Sequence, residues 1–237
     1  MAVAPATAAM TLTTYRTRFG PVGRLTLGAA TLLVVCAPAL TRGTELDPYV
    51  HAFELSYRGV RTLRAEFTET SSAFGRTRQE SGRVYLERGG KMRWEYDGPA
   101  TKLFISDGKE LLLYVPGEKQ LTRTPLKSSD ALQVPLGLLL SRLNLRRMFS
   151  KIEFADQGLE PDSGDRVLRA YPRHGYEAEY QNALIELAPN FDIRRLRILY
   201  PDGSTMQFTF RRIERNAALA PSLFQFTPPA GTEVIQQ

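Results

Sequence analysis

Gly82 to Gly117, GRVYLERGGKMRWEYDGPATKLFISDGKELLLYVPG, is the stretch whose reading decides the fold. Successive side chains of a strand point to opposite faces, so a period of two marks a half-buried strand. Val84, Leu86 and Arg88 fall on one face of a first strand, Gly82 to Arg88, with Arg83, Tyr85 and Glu87 on the other. Gly89-Gly90 suits a two-residue hairpin turn. The next strand sets Met92, Trp94 and Tyr96 against Lys91, Arg93 and Glu95, and Gly98-Pro99 ends it. Lys102 to Ser106 and Glu110 to Val115 follow, joined at Asp107-Gly108 and stopped by Pro116-Gly117. Consecutive hairpins of this kind predict an antiparallel meander, which keeps one face wet or curves around a hollow.

The pattern extends in both directions. On the N-terminal side, Leu63, Ala65, Phe67 and Glu69 alternate with Arg64, Glu66, Thr68 and Thr70. Before them Asp47-Pro48 reads as a helix start, with Asp as N-cap and Pro at the first helical position. Leu46, Val50, Phe53, Tyr57 and Val60 then form one apolar stripe on a helix of about four turns. On the C-terminal side Gln120 to Thr124 predicts a sixth strand, and Val134 to Leu143 with Leu145 to Phe149 predict an apolar helical insertion. Strands resume near 152–154, 167–171, 183–188, 193–200 and 205–212, where Met206, Phe208 and Phe210 share a face. Phe224 to Pro229 reads as a short apolar edge segment stopped by prolines. The sum is one mainly β (α+β) domain of about ten or eleven strands, with a helix before the sheet and a helical insertion in its middle.

Residues 1–39 are set apart as a leader. Arg16, Arg18 and Arg24 make a basic region, Leu25 to Ala37 an apolar one, and Ala37-Pro38-Ala39 a small-residue cleavage site. Cleavage and export is favoured over an uncleaved anchor, because Pro38, Thr41 and Arg42 come too early for the roughly 20 apolar residues of a bilayer span. Lipidation at Cys36 is a third reading, disfavoured by the bulky Val35 before it. Met10 is an alternative start, since the first nine residues fit no part of the leader pattern. Residues 40–237 remain as the expected domain, with 28 basic and 25 acidic residues and no cysteine. That excludes cysteine zinc sites and cysteine nucleophiles. The arginines are scattered rather than clustered on one element, which argues against nucleic-acid binding.

Little in the chain suggests catalysis. His51 and His174 belong to no metal-spaced pair, no G-x-S-x-G or phosphate-binding glycine loop is present, and the acids at Asp97, Asp107, Asp202 and 153–165 read as turn and surface residues. No catalytic residue, metal or cofactor is therefore expected. What stands out is apolar surface. Phe67, Val84, Leu86, Met92, Trp94, Tyr96, Met206, Phe208 and Phe210 lie on strand faces, and Leu138, Leu139 and Leu143 on the insertion. A plain sheet–helix core accounts for any one of them, while the set together points to a ligand hollow with an adaptable lining. Arg88 is the odd member. It ends a strand on the face of Val84 and Leu86, so it either turns inward to backbone carbonyls of a covering helix or reaches water at the mouth.

These residues resemble a known family. The run from Leu63-Arg64-Ala65-Glu66-Phe67 through Gly82-Arg83-Val84-Tyr85-Leu86, Met92-Arg93-Trp94-Glu95-Tyr96 and Ile105-Ser106-Asp107-Gly108-Lys109 to Tyr114-Val115-Pro116 is similar to the periplasmic outer-membrane lipoprotein carriers, LolA. So is the closing Phe224-Gln225-Phe226-Thr227-Pro228-Pro229-Ala230-Gly231. The resemblance implies an incompletely closed antiparallel β-barrel under a helical lid, with acyl chains held inside. It implies a monomer that takes acylated lipoproteins from an inner-membrane ABC-type exporter and delivers them to an outer-membrane receptor. It gives Arg88 the role of a lid latch, although the family often has proline after that arginine where this chain has Gly89-Gly90. The rival reading is a lipid- or lipoprotein-sensing regulatory module like RseB.

Overall fold

The computed structural model describes residues 46–98, 101–126 and 144–237. Helix α1 (Leu46–Arg58) precedes six strands, β1 (Thr62–Ala73), β2 (Arg76–Glu87), β3 (Lys91–Asp97), β4 (Leu103–Asp107), β5 (Glu110–Val115) and β6 (Gln120–Pro125). A one-turn helix α2 (Leu145–Met148) leads into β7 (Lys151–Phe154), β8 (Arg166–Tyr171), β9 (Asn182–Leu187), β10 (Ile193–Leu199) and β11 (Thr205–Arg215). The last strand is β12 (Glu233–Gln236). All twelve form one sheet in the order β12-β6-β5-β4-β3-β2-β1-β11-β10-β9-β8-β7. The meander runs outward from β1 in both directions, and the β1–β11 ladder joins the two runs. Only β12 is parallel to its neighbour, β6. Among the described residues the sheet ends at β7 and β12 without pairing to itself, an open wall rather than a closed barrel.

Burial follows the period of two. Along β3 the pattern alternates, with Met92, Trp94 and Tyr96 buried and Lys91, Arg93 and Glu95 only half so. The ladders bring Leu86 opposite Met92 and Val84 opposite Trp94, so one face collects the large apolar residues. Across β11, β10, β9 and β8 that concave face continues through Phe208, Phe210, Ile193, Leu196, Ile198, Ile185 and Leu168. α1 presents Val50, Phe53 and Tyr57 to it, as its stripe requires.

The register settles which residues of β4 and β5 look inward. Phe104 pairs with Trp94 and Leu111 with Ser106, itself opposite Met92, which places Phe104 and Leu111 on the concave side. Ile105 and Tyr114 then point outward, yet are 1% and 8% exposed. Their cover is the C-terminal segment, whose one-turn helix Pro221–Phe224 packs on β3 and β4 while Phe226 meets Tyr114 at 4.9 Å between ring centres. Phe224 to Pro229 is therefore not an edge strand. Its alternating phenylalanines serve packing on the outer face, and the edge belongs to β12 further on.

Three other details differ from expectation. Residues Arg88 to Gly90 form a three-residue loop, since Glu87 pairs with Lys91. Gly108 in the next turn faces this loop so closely that a Cβ would stand 2.4 Å from the Gly89 carbonyl oxygen. And β1 and β2 are longer than the apolar alternation suggests, continuing as a polar ribbon to a turn at Phe74-Gly75. Asp47 lies within the first turn of α1, where it forms an ion pair with Arg146.

Candidate functional site

The candidate site is the concave face and the helix held against it. Phe67, Val84, Leu86, Met92, Trp94, Tyr96, Phe208 and Phe210 are all buried there, and Met206 packs half-buried beside them. Their rings interlock: Phe67 lies 4.8 Å from Trp94 and 4.9 Å from Tyr96, and Trp94 lies 5.3 Å from Phe208. Edge-on packing at these separations adds to the gain from area alone. Gly82 makes one of these contacts possible. It stands on β2 between Phe67 of β1 and Tyr96 of β3, and a Cβ there would lie 1.9 Å from the Glu95 carbonyl oxygen. With no side chain between them, the two flanking rings meet over the middle strand. Leu138, Leu139 and Leu143, expected to face this wall, lie outside the described residues.

One polar pair interrupts the apolar wall. The Tyr96 hydroxyl donates a short hydrogen bond to the Glu69 carboxylate, and Glu69 is only 8% exposed. Burial, and then the neighbouring Glu69 charge, hold the Tyr96 phenol far above its ordinary pKa, so it stays a donor. Lys102 sits 4.1 Å from the Tyr96 ring centre and pairs with Glu80. Sequence reasoning placed Glu69 on the face of Leu63, Ala65 and Phe67 but assigned it no role. A carboxylate at an inward strand position was the signal.

α1 covers the other half of the wall. Tyr49 meets Phe154 at 5.4 Å and Phe191 at 5.3 Å, and the Tyr57 hydroxyl accepts a 3.4 Å hydrogen bond from the Ile193 backbone N–H. Burial raises the pKa of the Tyr57 phenol, while Arg215 lies over its ring. The end of α1 is where Arg88 acts. Its guanidinium donates to the carbonyl of Tyr57 at 3.2 Å and of Arg58 at 2.8 Å. The final carbonyls of a helix have no partner within it, and the helix dipole favours a cation there. The helix bonded is α1; the mid-chain insertion, where the latch partner was also sought, lies outside the described residues from 127 to 143. Beside this contact, His51, Glu54, Leu55, Tyr57, Arg58, Arg88 and Asn144 line a cavity of about 430 Å³. Its lining is evenly mixed between polar and apolar surface, so it adjoins the apolar wall without being part of it. Two further cavities open on the outer face, among Thr68, Gln79, Ser81, Gln207 and Thr209.

The loop 155–165, read from sequence as a polar surface, is anchored on the outer side of β8 to β10. Glu186, fully buried, accepts from the Arg195 guanidinium and from the Asp162 backbone N–H at 2.8 Å. Burial alone would raise the pKa of the Glu186 carboxyl, but the Arg195 and Asp162 hydrogen bonds outweigh it and leave it lowered. Asp165 beside it is raised by burial despite Arg194 at 3.1 Å. Asp162, Asp165 and Glu186 bring one oxygen each within 4.8 Å, a spacing that would suit a cation. Arg194 and Arg195 already supply the positive charge at this cluster.

An open antiparallel sheet with an apolar concave face, a helix laid across it and a cation fastening that helix defines a wall-and-cover class of β protein. Residues 58–227 match the family described as outer membrane lipoprotein carrier protein LolA. The outer-membrane lipoprotein carrier protein of Chromobacterium violaceum is 31% identical over 183 residues, covering 75% of this chain and 82% of that one. That of Dechloromonas aromatica is 31% identical over 201 residues, covering 84% and 90% respectively. The chain belongs to the LolA family of outer-membrane lipoprotein carriers. This is a family of carrier proteins and not a known enzyme family. Among solved structures, an uncharacterised conserved protein from Thermus thermophilus shares the fold, with a TM-score of 0.51, 11% identity, and coverage of 81% of this chain and 99% of that one.

Proposed function

We propose that this protein is a periplasmic carrier that shields the acyl chains of lipoproteins against its concave face and shuttles them from the inner to the outer membrane. The observation that carries the reading is the wall itself: large apolar side chains run along its concave face from β4 to β8, under a helix fastened at its end by Arg88. Transferring acyl chain out of water is worth roughly 0.8 kcal/mol per CH₂, so a multiply acylated protein does not leave a bilayer unaided at a useful rate. A carrier must cover the chains and still give them up. That calls for a broad apolar surface under a cover held by a few polar bonds, in preference to a tight specific pocket.

In this reading residues 1–39 are a leader cleaved near Ala39 and residues 40–237 are the working domain. Phe67, Val84, Leu86, Met92, Trp94, Tyr96, Met206, Phe208 and Phe210 form the acyl-facing wall, joined by Leu138, Leu139 and Leu143. Arg88 latches α1. The cargo comes from an ABC-type exporter of the inner membrane and goes to a receptor at the outer membrane. Depleting the protein is expected to leave lipoproteins in the inner membrane, read by membrane fractionation. Unchanged sorting, with only an envelope-stress response altered, would overturn the carrier reading in favour of a sensing module.

A further inference from the structure

The tip of the β1–β2 ribbon has an unusual composition. Ala73 pairs with Arg76, leaving Phe74 and Gly75 as a two-residue turn with φ of 50° and 71°. Both central residues of such a turn take the left-handed conformation, which glycine and asparagine adopt readily and a bulky aromatic does not. Phe74 nonetheless occupies the first of these positions and is 93% exposed. Local backbone preference and the hydrophobic effect both oppose this choice. The ribbon also projects past β3, which stops pairing at Asp97, opposite Ser81, while β11 accompanies β1 as far as Ser72 and leaves Ala73 to Arg76 as the free tip. From Ser71 to Arg78 the ribbon contains two arginines and no acid. Further back Glu80 pairs with both Arg78 and Lys102, and Asp202 of the β10–β11 turn is bound to Ser204.

We propose that this tip is a membrane-contact finger, in which Phe74 enters the interfacial zone of an anionic bilayer while Arg76 and Arg78 lie against its phosphates. The surroundings of Phe74 favour a bilayer over a protein pocket. Its neighbours Ser72, Ala73, Gly75 and Thr77 are small, so the tip offers little more than one ring. A specific protein interface buries about 800 Å² on each partner, several times what one phenylalanine supplies. A lipid surface accepts a single ring and two cations with no need for shape complementarity. Such contact is weak and reversible, and it stands whether or not the chain carries lipid.

The test is co-sedimentation of the exported, cargo-free chain with phosphatidylethanolamine vesicles containing ~30% phosphatidylglycerol, against vesicles of phosphatidylcholine alone. Phe74→Asn suits the turn better than phenylalanine, so it folds at least as well, and it is expected to bind the anionic vesicles roughly tenfold more weakly. Replacing Arg76 and Arg78 by Gln together should abolish the preference for anionic lipid. Phe74→Trp should retain binding, and its emission should move to shorter wavelength on vesicles, whereas the buried Trp94 of the native chain gives no such shift. Equal binding by native chain and Phe74→Asn, or an unshifted Phe74→Trp spectrum, would overturn the assignment. So would a Phe74→Asn defect confined to transfer between proteins with vesicle binding unchanged, which would make the tip a protein contact.

Discussion

Two segments cover this sheet, one on each side, and they are fastened by different physics. The loop 155–165 lies on the outer face and is held mainly by the buried Glu186 on Arg195 and by arginine bonds to the loop carbonyls of Gln157, Gly158 and Glu160, with Leu159 packed on Val167 and Leu184. α1 lies on the concave face and is held by its buried stripe of Val50, Phe53 and Tyr57, by ring contacts and by a few polar bonds, among them the two from Arg88. Removing one partner of a buried ion pair leaves an uncompensated charge, so the outer cover is built to stay. Two hydrogen bonds at a helix end are worth about 0.5–1.5 kcal/mol each. Under the carrier reading these two bonds are the ones that give way first.

The sharpest way to break this comparison is at the outer cover. Arg195→Ala strands the buried Glu186 and is expected to cost about 3–5 kcal/mol, lowering the melting temperature by roughly 10 °C in calorimetry. A loss no greater than that of an ordinary surface substitution would remove the distinction. Next in size is the seat of α1. Phe191→Ala takes away the ring that Tyr49 and Phe53 pack against, from a half-buried position whose left-handed φ of 64° disfavours phenylalanine. The expected loss is about 1–2 kcal/mol, with faster amide exchange in α1 and little change in β8 to β10. Uniform acceleration across the sheet would mean that α1 is core and not cover.

Arg88→Leu should cost only about 1–2 kcal/mol, again opening α1 selectively. Under the carrier reading it still accepts lipoprotein but hands it on poorly in a two-membrane transfer assay, and normal transfer would remove the latch role. The smallest effects separate the two carboxylates beneath the outer loop. Glu186 has its pKa lowered in the folded chain, so its contribution is present above the ordinary carboxylate range and is lost as pH falls through the lowered value. Asp165 is raised, so its charged form opposes folding once pH exceeds that raised value. At neutral pH Glu186→Gln should therefore lower the denaturant midpoint, while Asp165→Asn should leave it unchanged or raise it. Equal losses in both would show that the two acids act as one network.

Much of the fold could be read from residues because β1, β3 and β11 at the centre of the sheet keep a period of two. Met92-Arg93-Trp94-Glu95-Tyr96 names its own faces, and so does Met206 to Phe210. The reading failed where burial on one side was missing or came from elsewhere. Residues 70–81 carry no apolar alternation, and β2 there runs past the end of β3, so the ribbon's length was invisible. Phe224-Gln225-Phe226 alternates like a strand, but its phenylalanines pack on Ile105 and Tyr114 from outside the ladder. β12 offers only Val234 and Ile235, too little to register. In the site, the aromatic wall was legible and the Glu69–Tyr96 pair was not, because it depends on the registers of two ladders that bring β1 and β3 together across β2. The acids of the loop looked like solvated surface, since only the fold brings Arg194 and Arg195 beneath them.

Under the carrier reading, the margins at β7 and β12, unpaired among the described residues, bear on how the wall can respond to contents of different bulk. A barrel sealed all round by backbone bonds has a girth fixed by its strand number and stagger. A sheet with two free borders can spread or tighten by bending, without breaking a rung of its ladder. In that reading capacity becomes an elastic property of the whole wall, set by how far its borders stand apart.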